Sequence, residues 1–394
     1  MQLADIHPGL GDYLDLERHR NEGSPSGFSH QYRPKIGLRD LDRGDHQFEL
    51  PLFEIENLTF VGAPPNHPVL FPVHPDMAAE FQALTGTNAT SSTPASSTSS
   101  GRTLLAEVMG ELQFVKLSYH GLLGRVHRRM TRDHLLTAIE VSEAMRRSIA
   151  ATPIDRFSIQ HEYFGATADS HDGWGFVLRD LQPFPHPKFD YRVPAFSLLS
   201  SRFGANRVVP LLVEILQLRH DLHEPGSFYR EFVQPIIDAY FLLLQREGLQ
   251  IEAHAQNLVY HFDHEWKVAT IVYRDMESVD KDLALIDELG IESPITRIEH
   301  KALTRRDPNY AIKHSFMYDF KLGEYLLRPL CDLWATSTRQ SVDALHELIR
   351  QGARSHLASL PSDLFPADWY DYRAEVFEGQ VGRPYIAHPS PSFR

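Results

Sequence analysis

The run Glu252-Ala-His-Ala-Gln-Asn257, with Arg274-Asp275 some twenty residues later, has the side chains for phosphate and metal chemistry. Read with a period of two, Glu252, His254 and Gln256 project to one side of an extended strand. Leu249, Ile251, Ala253 and Ala255 project to the other. Asn257 closes the polar run, and Asp275 ends the strand expected to pair with it. An amide oxygen and a carboxylate brought together in this way suit Mg²⁺, a hard ion that takes oxygen ligands and keeps water and phosphate partners. A histidine beside them can donate to a phosphate or to a developing oxyanion. A half-buried strand with a solvated polar face is the plainer reading of the same pattern.

A second set of residues is basic. Arg102 and Thr103 follow the serine run that ends at Ser100, Lys116 sits in the strand-like Phe114-Val-Lys-Leu-Ser118, and Arg125, Arg128 and Arg129 come soon after. Arginine binds phosphates and carboxylates bidentately, so such a group could hold a triphosphate or a polycarboxylate. The alternative is a solvated face leading into the next helix. His74, between two prolines, and Arg179, at the end of a strand-like segment, are lesser candidates. The 22 histidines contain no HExxH motif or comparable ligand spacing, so no structural metal is expected.

Several elements must position these groups. Residues 1–50 are polar, lack a periodic pattern and read as loops. Residues 51–75 read as short strands and turns, and the low-complexity stretch 85–101 as a flexible linker whose end could be a hydroxyl-rich anion loop. Leu135, Ile139, Ser142 and Met145 define one stripe of a helix over 131–150. Further helices are expected over Val208–Leu218, Phe228–Gln245 (with Pro235 as a kink), Phe320–Trp334 and Val342–Ile349. A hairpin is expected over 249–275, turning near Asp263-His264-Glu265.

Composition narrows the function classes. With 39 Lys and Arg against 52 Asp and Glu, the net charge is −13, which disfavours nucleic acid and anionic membrane as partners. The single cysteine, Cys331, excludes an intramolecular disulfide and lies in an apolar run where burial is expected. The N-terminus lacks the pattern of a signal peptide, and no apolar run reaches membrane-spanning length, so a cytoplasmic location is expected.

Taken in order, these segments resemble the IucA/IucC family, the NRPS-independent siderophore synthetases. Glu252-Ala-His-Ala-Gln-Asn257 looks like the family's E-x-H-x-Q-N motif and Arg274-Asp275 like its R-D. Ser100-Gly-Arg-Thr103 is similar to its S-x-R-T phosphate loop, Lys116-Leu-Ser118 to its K-L-S strand, and Pro72-Val-His-Pro75 to its P-V-H-P segment. Arg128, Glu162 and Arg179 fall where the family has an arginine, a glutamate and a strand-end arginine.

The resemblance implies an α+β cradle: an antiparallel fingers sheet over about 51–190, a palm of helices plus hairpin over about 191–394, and only a remnant of the thumb in 1–50. It implies ATP and Mg²⁺ as cofactors and adenylation of a carboxylate, commonly citrate or a derivative. An amine or alcohol then captures the acyl-adenylate. Ser100, Arg102, Thr103, Lys116, His254, Gln256, Asn257 and Asp275 would bind ATP, with Asn257 and Asp275 holding the metal. Arg125, Arg128 and Arg179 would bind the acid, and His254, Arg128 and Lys116 would act in catalysis. The expected partners are these small molecules; a homodimer is left open. Family members carry a longer N-terminal region, a small hydroxyl pair where this chain has Gly124-Arg125, and a basic residue not evident around Asp368–Arg373. A shortened, inactive binding relative and a kinase-like phosphotransferase are the competing expectations.

Overall fold

The computed structural model describes residues 10–21, 47–64, 66–123, 126–168, 171, 173–204, 206–293, 295–366, 372–374, 385–387 and 391–394. The N-terminal stretch expected as loops contains a helix, α1 (Leu10–His19), with Tyr13, Leu14 and Leu16 buried. A helix of this length is marginal alone, so its burial against the rest of the chain is what stabilises it.

An eight-stranded antiparallel sheet follows, ordered β2-β10-β11-β6-β5-β4-β1-β3. Its first members are β1 (Gln47–Phe53), β2 (Leu58–Gly62) and β3 (Phe71–Pro72), then, after helix α2 (Ala78–Thr85), β4 (Ser91–Ser97), β5 (Thr103–Val108) and β6 (Glu111–Leu117). The middle of the Ser/Thr-rich stretch expected as a flexible linker, Ser91–Ser97, is therefore strand β4. Pairing with β1 on one side and β5 on the other satisfies its backbone, which its polar composition did not reveal. β5 and β6 are joined by Met109-Gly110, both at positive φ, the two-residue turn that matches strand twist.

A small hairpin, β7 (Tyr119–Leu123) and β8 (Val126–Arg128), leads to α3 (Arg132–Ala151), capped by the Thr131 side chain. The expected stripe Leu135, Ile139, Ser142 and Met145 is buried along it. Leu135, Ala138 and Ile139 pack on the large sheet with Val61 and Val177, while Val141, Ala144, Met145 and Ile149 enter the second, larger core. One helix thus joins the two cores. β9 (Phe157–Ile159), β10 (Glu162–Ala168) and β11 (Gly175–Arg179) follow it.

β12 (Tyr191–Pro194), α4 (Ala195–Leu199) and a minimal hairpin of β13 (Arg202–Phe203) and β14 (Asn206–Arg207) precede the helices α5 (Leu211–Leu218), α6 (Pro225–Phe228) and α7 (Gln234–Glu247). Between α6 and α7, Tyr229–Val233 is a π-helical turn, and Pro235 sits in the first turn of α7. The irregularity expected at Pro235 is this turn, placed where the missing N–H costs least.

β15 (Leu249–Gln250), β16 (Leu258–Phe262), β17 (Val268–Tyr273) and β18 (Asp280–Asp282) come next, followed by α8 (Leu283–Leu289), β19 (Ala302–Leu303) and α9 (Tyr310–Ser315). A π-helical stretch, Phe316–Leu327, runs into α10 (Arg328–Thr338), and α11 (Asp343–Leu357) packs behind. A four-stranded sheet, β12-β16-β17-β9, faces the large one, with Tyr13 and Leu14 of α1 between Phe114, Val259 and Val272. Cys331 is fully buried.

The hairpin is shorter than expected. β16 and β17 pair as 258–273, whereas Leu249–Gln250 pairs with β18. Residues 251–257 are tight turns, in which the His254 N–H donates to Glu252 O (3.0 Å) and the Asn257 N–H to His254 O (2.9 Å). Ile251, Ala253 and Ala255 are buried as the alternation requires, so a period-two burial pattern arose without a strand. The architecture is α+β with predominantly antiparallel sheets, as expected. Among the described residues no helix is long and apolar enough to cross a membrane.

Candidate active site

Strand register explains how residues far apart in sequence share one cleft. Thr103 lies opposite Lys116, Phe114 opposite Arg179, and Arg179 opposite Glu162. Cross-strand partners point to the same face, and so do residues two apart. Thr103, Lys116, Arg179 and Glu162 therefore project from the side of the large sheet that also carries Phe114, which packs against α1, β16 and β17.

Facing them is the turn after β17. Asp275 has φ +78°, a left-handed conformation that aspartate tolerates better than most residues, and opens a single 3₁₀ turn, Met276–Ser278. Ser278 Oγ donates to Asp275 O (2.7 Å) and also meets the Tyr273 hydroxyl (3.0 Å). This turn presents two carboxylates, Asp275 and Glu277. Lys116 Nζ pairs with Asp275 Oδ1 and lies 2.7 Å from Glu277 Oε2. Arg102 Nη2 reaches the same Glu277 oxygen at 3.3 Å, and Arg179 Nη2 lies 3.9 Å from Asp275.

Burial pushes both carboxyl groups up, but the cations outweigh it. Lys116, Arg179 and Arg102 hold Asp275 below the ordinary aspartate range, and Lys116, Arg102 and His134 hold Glu277 well below its own. Arg102 and Lys116 thus meet on one carboxylate. Arg128 keeps an exposed side chain, while its carbonyl accepts from Arg102 Nη1 (3.4 Å). Arg179 is committed to Glu162, with Nε and Nη2 at 3.0 and 2.5 Å from Oε1. Arg125 lies outside the described residues.

The loop between β4 and β5 is tied inward. Gly101, at φ +74°, lets the chain turn so that the Thr98 N–H reaches Thr103 O (3.0 Å). Ser100 Oγ accepts from the Thr103 N–H (3.0 Å). His74 Nδ1 accepts from the Asp76 N–H (3.2 Å), which leaves its proton on Nε2, 3.1 Å from Gly101 O. His74 therefore braces this loop from within.

In the 251–257 turns, His254 Nδ1 accepts from the Gln256 N–H (3.2 Å), which places the ring proton on Nε2, 3.7 Å from Glu252 Oε2. Burial, offset by Glu252, brings the His254 pKa down to about 4, so the imidazole is neutral at pH 7. Burial raises Glu252, but Lys321 and His254 bring it to about 2. Lys321 Nζ lies 2.7 Å from Glu252 Oε1. Asn257 spends its amide N–H₂ on Glu252 O (3.1 Å) and Ser278 Oγ (3.4 Å), which leaves its carbonyl oxygen as the remaining donor atom. The Gln256 carbonyl accepts from Arg274 Nε and Nη2 (2.9 and 2.7 Å).

Sequence reasoning missed several participants. Glu277 lies two residues past Arg274-Asp275, where the strand was taken to end, and its spacing was the only available signal. Lys321 is on a helix read only for its apolar face. Glu17 is in the stretch read as loops; its carboxylate accepts from the Ser99 N–H and hydroxyl (3.2 and 2.5 Å) and from Arg274 Nη1 (2.5 Å).

The sequence matches no curated protein. A family described as "Ferric iron reductase FhuF-like transporter" matches residues 227–378. Among solved structures the chain is similar to the petrobactin biosynthesis protein AsbB from Bacillus anthracis str. Sterne. The TM-score is 0.71 at 14% identity, covering 96% of this chain and 74% of that one. It is similar also to the ATP-bound aerobactin synthetase IucA from a hypervirulent pathotype of Klebsiella pneumoniae, with TM-score 0.61, 14% identity, and coverage of 82% of this chain and 66% of that one. Aerobactin synthetase IucC from the same source gives 0.61 and 14%, covering 84% and 67%. The fold is that of these siderophore-biosynthesis proteins, of whose lengths this chain spans about two thirds to three quarters.

Proposed function

We propose that the chain is an ATP-dependent synthetase of siderophore biosynthesis that adenylates a polycarboxylate, citrate or a derivative, and condenses it with an amine or alcohol. One observation carries this reading. In a chain of net charge −13, Arg102 and Lys116 of the large sheet share one carboxylate, Glu277, of the turn that follows the β16–β17 hairpin. Cations gathered there, with Arg128 exposed beside them, suit a polyanion. The ATP-bound state of a protein with the same fold supports the choice of nucleotide.

A carboxylate oxygen of the acid attacks the α-phosphorus of ATP, and the bond to pyrophosphate breaks. The nucleophile then attacks the acyl carbon, loses its proton and displaces AMP. Arg102, Lys116 and Arg128 neutralise the phosphates and the charge that develops on them. Ser100 and Thr103 shape the phosphate loop, and Arg125 and Arg128 would bind the acid, with Arg179 behind through Asp275. Neutral His254 offers a donated hydrogen bond, and Gln256 completes the nucleotide wall. The Asp275 carboxylate and the spare carbonyl of Asn257 are oxygen donors that fit Mg²⁺ and would hold it. The ion would supply charge neutralisation at the phosphates.

Purified protein with ATP, Mg²⁺, hydroxylamine and a panel of polycarboxylates should release pyrophosphate and form a hydroxamate with one of them. ADP formation would point to a phosphotransferase instead. Binding of ATP without turnover of any acid would point to an inactive relative.

A further inference from the structure

We propose that Phe393 and Arg394 are positioning residues of the cleft: they hold the stretch Phe316–Leu327 in its π-helical form and thereby aim Lys321 at Glu252. The effect on turnover rests on the synthetase reading; the positioning itself does not. A π-helix closes its hydrogen bonds from i to i+5 and mostly occurs as a single turn. Phe316–Leu327 is a run of 12 residues. Backbone preference does not favour such a run over an α-helix, so contacts from outside must hold it.

Ser392-Phe393-Arg394 supplies those contacts. Arg394 Nε donates to both carboxylate oxygens of Asp319 (3.0 and 2.9 Å), and its Nη2 donates to Pro366 O (2.6 Å). Asp319 is fully buried, and Ser315 Oγ donates to the same carboxylate. Phe393 is fully buried against Gly323, where a Cβ would come within 3.1 Å of the Phe393 ring. A glycine weakens a helix interior, and here it makes room for that ring. The Tyr318 hydroxyl donates to Phe393 O (3.0 Å), and the Arg328 guanidinium lies 5.5 Å from the ring centroid. A guanidinium, an aromatic ring and a main-chain carbonyl are thus each engaged by the helical stretch or the residue that follows it.

Asp319 and Gly323, four residues apart, lie on one side of the stretch. Lys321, midway between them in sequence, leaves from the other side, about half a turn away. There its Nζ lies 2.7 Å from Glu252 Oε1. The Asn257 amide donates to Glu252 O (3.1 Å), so Lys321 fastens the 251–257 turns that carry His254, Gln256 and Asn257. The stretch is clamped between residues 392–394 on one side and a wall of the cleft on the other. Reversion to an α-helix, with bonds from i to i+4, winds the stretch tighter and turns Lys321 away from Glu252. Lys321 is only 17% exposed in the pair, and release opens its amine to solvent.

The test is lysine acylation of the whole chain without nucleotide or acid, with the rate at Lys321 read by peptide mass spectrometry. Arg394→Ala removes the ion pair, and Gly323→Ala crowds Phe393 while leaving every polar group in place. Each should raise the Lys321 rate by roughly tenfold, the weight of one charge-assisted contact. Arg394→Lys, which keeps the charge, should restore most of the protection. The rate at Lys267, 54% exposed, should not change. With Mg-ATP and an accepted acid, the apparent KM for Mg-ATP should rise in both alanine variants while kcat holds. Melting curves establish that the variants fold. Unchanged labelling of Lys321 in the folded variants overturns the proposal, as does raised labelling with an unchanged KM in an active enzyme. Because labelling needs neither nucleotide nor acid, its failure would leave the synthetase reading intact. Raised labelling in a protein that turns over no acid would support the positioning and count against the synthetase reading alone.

Discussion

Arg274 and Glu17, 257 positions apart, form a buried ion pair with Nη1 and Oε1 at 2.5 Å, and the same arginine nitrogen donates to the Tyr13 hydroxyl at 2.7 Å. The other Glu17 oxygen holds Ser99. A single carboxylate on α1 therefore fixes the β4–β5 loop against the end of the hairpin. Glu17→Ala leaves the Arg274 charge buried without its partner, which should cost about 3–5 kcal/mol in urea unfolding. It should also weaken ATP binding by freeing the loop. A loss under 1 kcal/mol with unchanged ATP affinity would show that the pair positions nothing.

The same carboxylate predicts a pH dependence. Burial raises the Glu17 pKa, but Arg274 and Ser99 outweigh it, so the folded value lies below the ordinary 4.5. A depressed folded pKa contributes stability above the unfolded pKa, and that contribution is lost as pH falls through the folded one. Wild type and Glu17→Gln should therefore differ in Tm at pH 7 and converge as the pH drops below about 4.5. A gap that stays constant into acid would contradict this.

Asp275→Asn separates metal binding from plain charge. Removing the carboxylate takes away a partner of Lys116 and a repeller of phosphate. Calorimetry should show ATP alone binding as well as before or better, and Mg-ATP binding about tenfold or more weaker. Equal changes for both would end the assignment of Asp275 as an ion ligand.

The sequence made burial more legible than the connections. Burial of Ile251, Ala253 and Ala255 followed from alternation, and the α3 stripe followed from helical periodicity. The strand over 251–257 did not exist, because alternation reports burial and not hydrogen-bond partners. β4 was hidden for the complementary reason: serine and threonine carry no apolar signal, yet neighbouring strands pair with their backbone. Lys116 and Arg102 could be named in advance, but Glu277 and Glu17, which decide what those loops and strands face, are set by tertiary register alone.

His254 supplies the last prediction. Its Nδ1 is occupied by the Gln256 N–H, and burial brings its pKa to about 4. Between the ordinary histidine value of 6.5 and about 4, the unfolded chain binds a proton at this position that the folded chain refuses. Folding stability must then fall with decreasing pH across that window, by up to about 1.4 kcal/mol per pH unit for one group. His74, His134, His261 and His300 are lowered as well and steepen the total slope, so the informative quantity is the difference between wild type and His254→Gln. Urea unfolding at several pH values from 7 to 4.5 should give a shallower fall for the variant, by close to one proton. The corresponding pH–rate profile of the wild type should show no acid limb near 6.5 that disappears on His254→Gln, since the proposed role of the imidazole is that of a neutral donor. Parallel stability slopes, or such a limb, would mean that His254 titrates as an ordinary exposed histidine and takes no part as described.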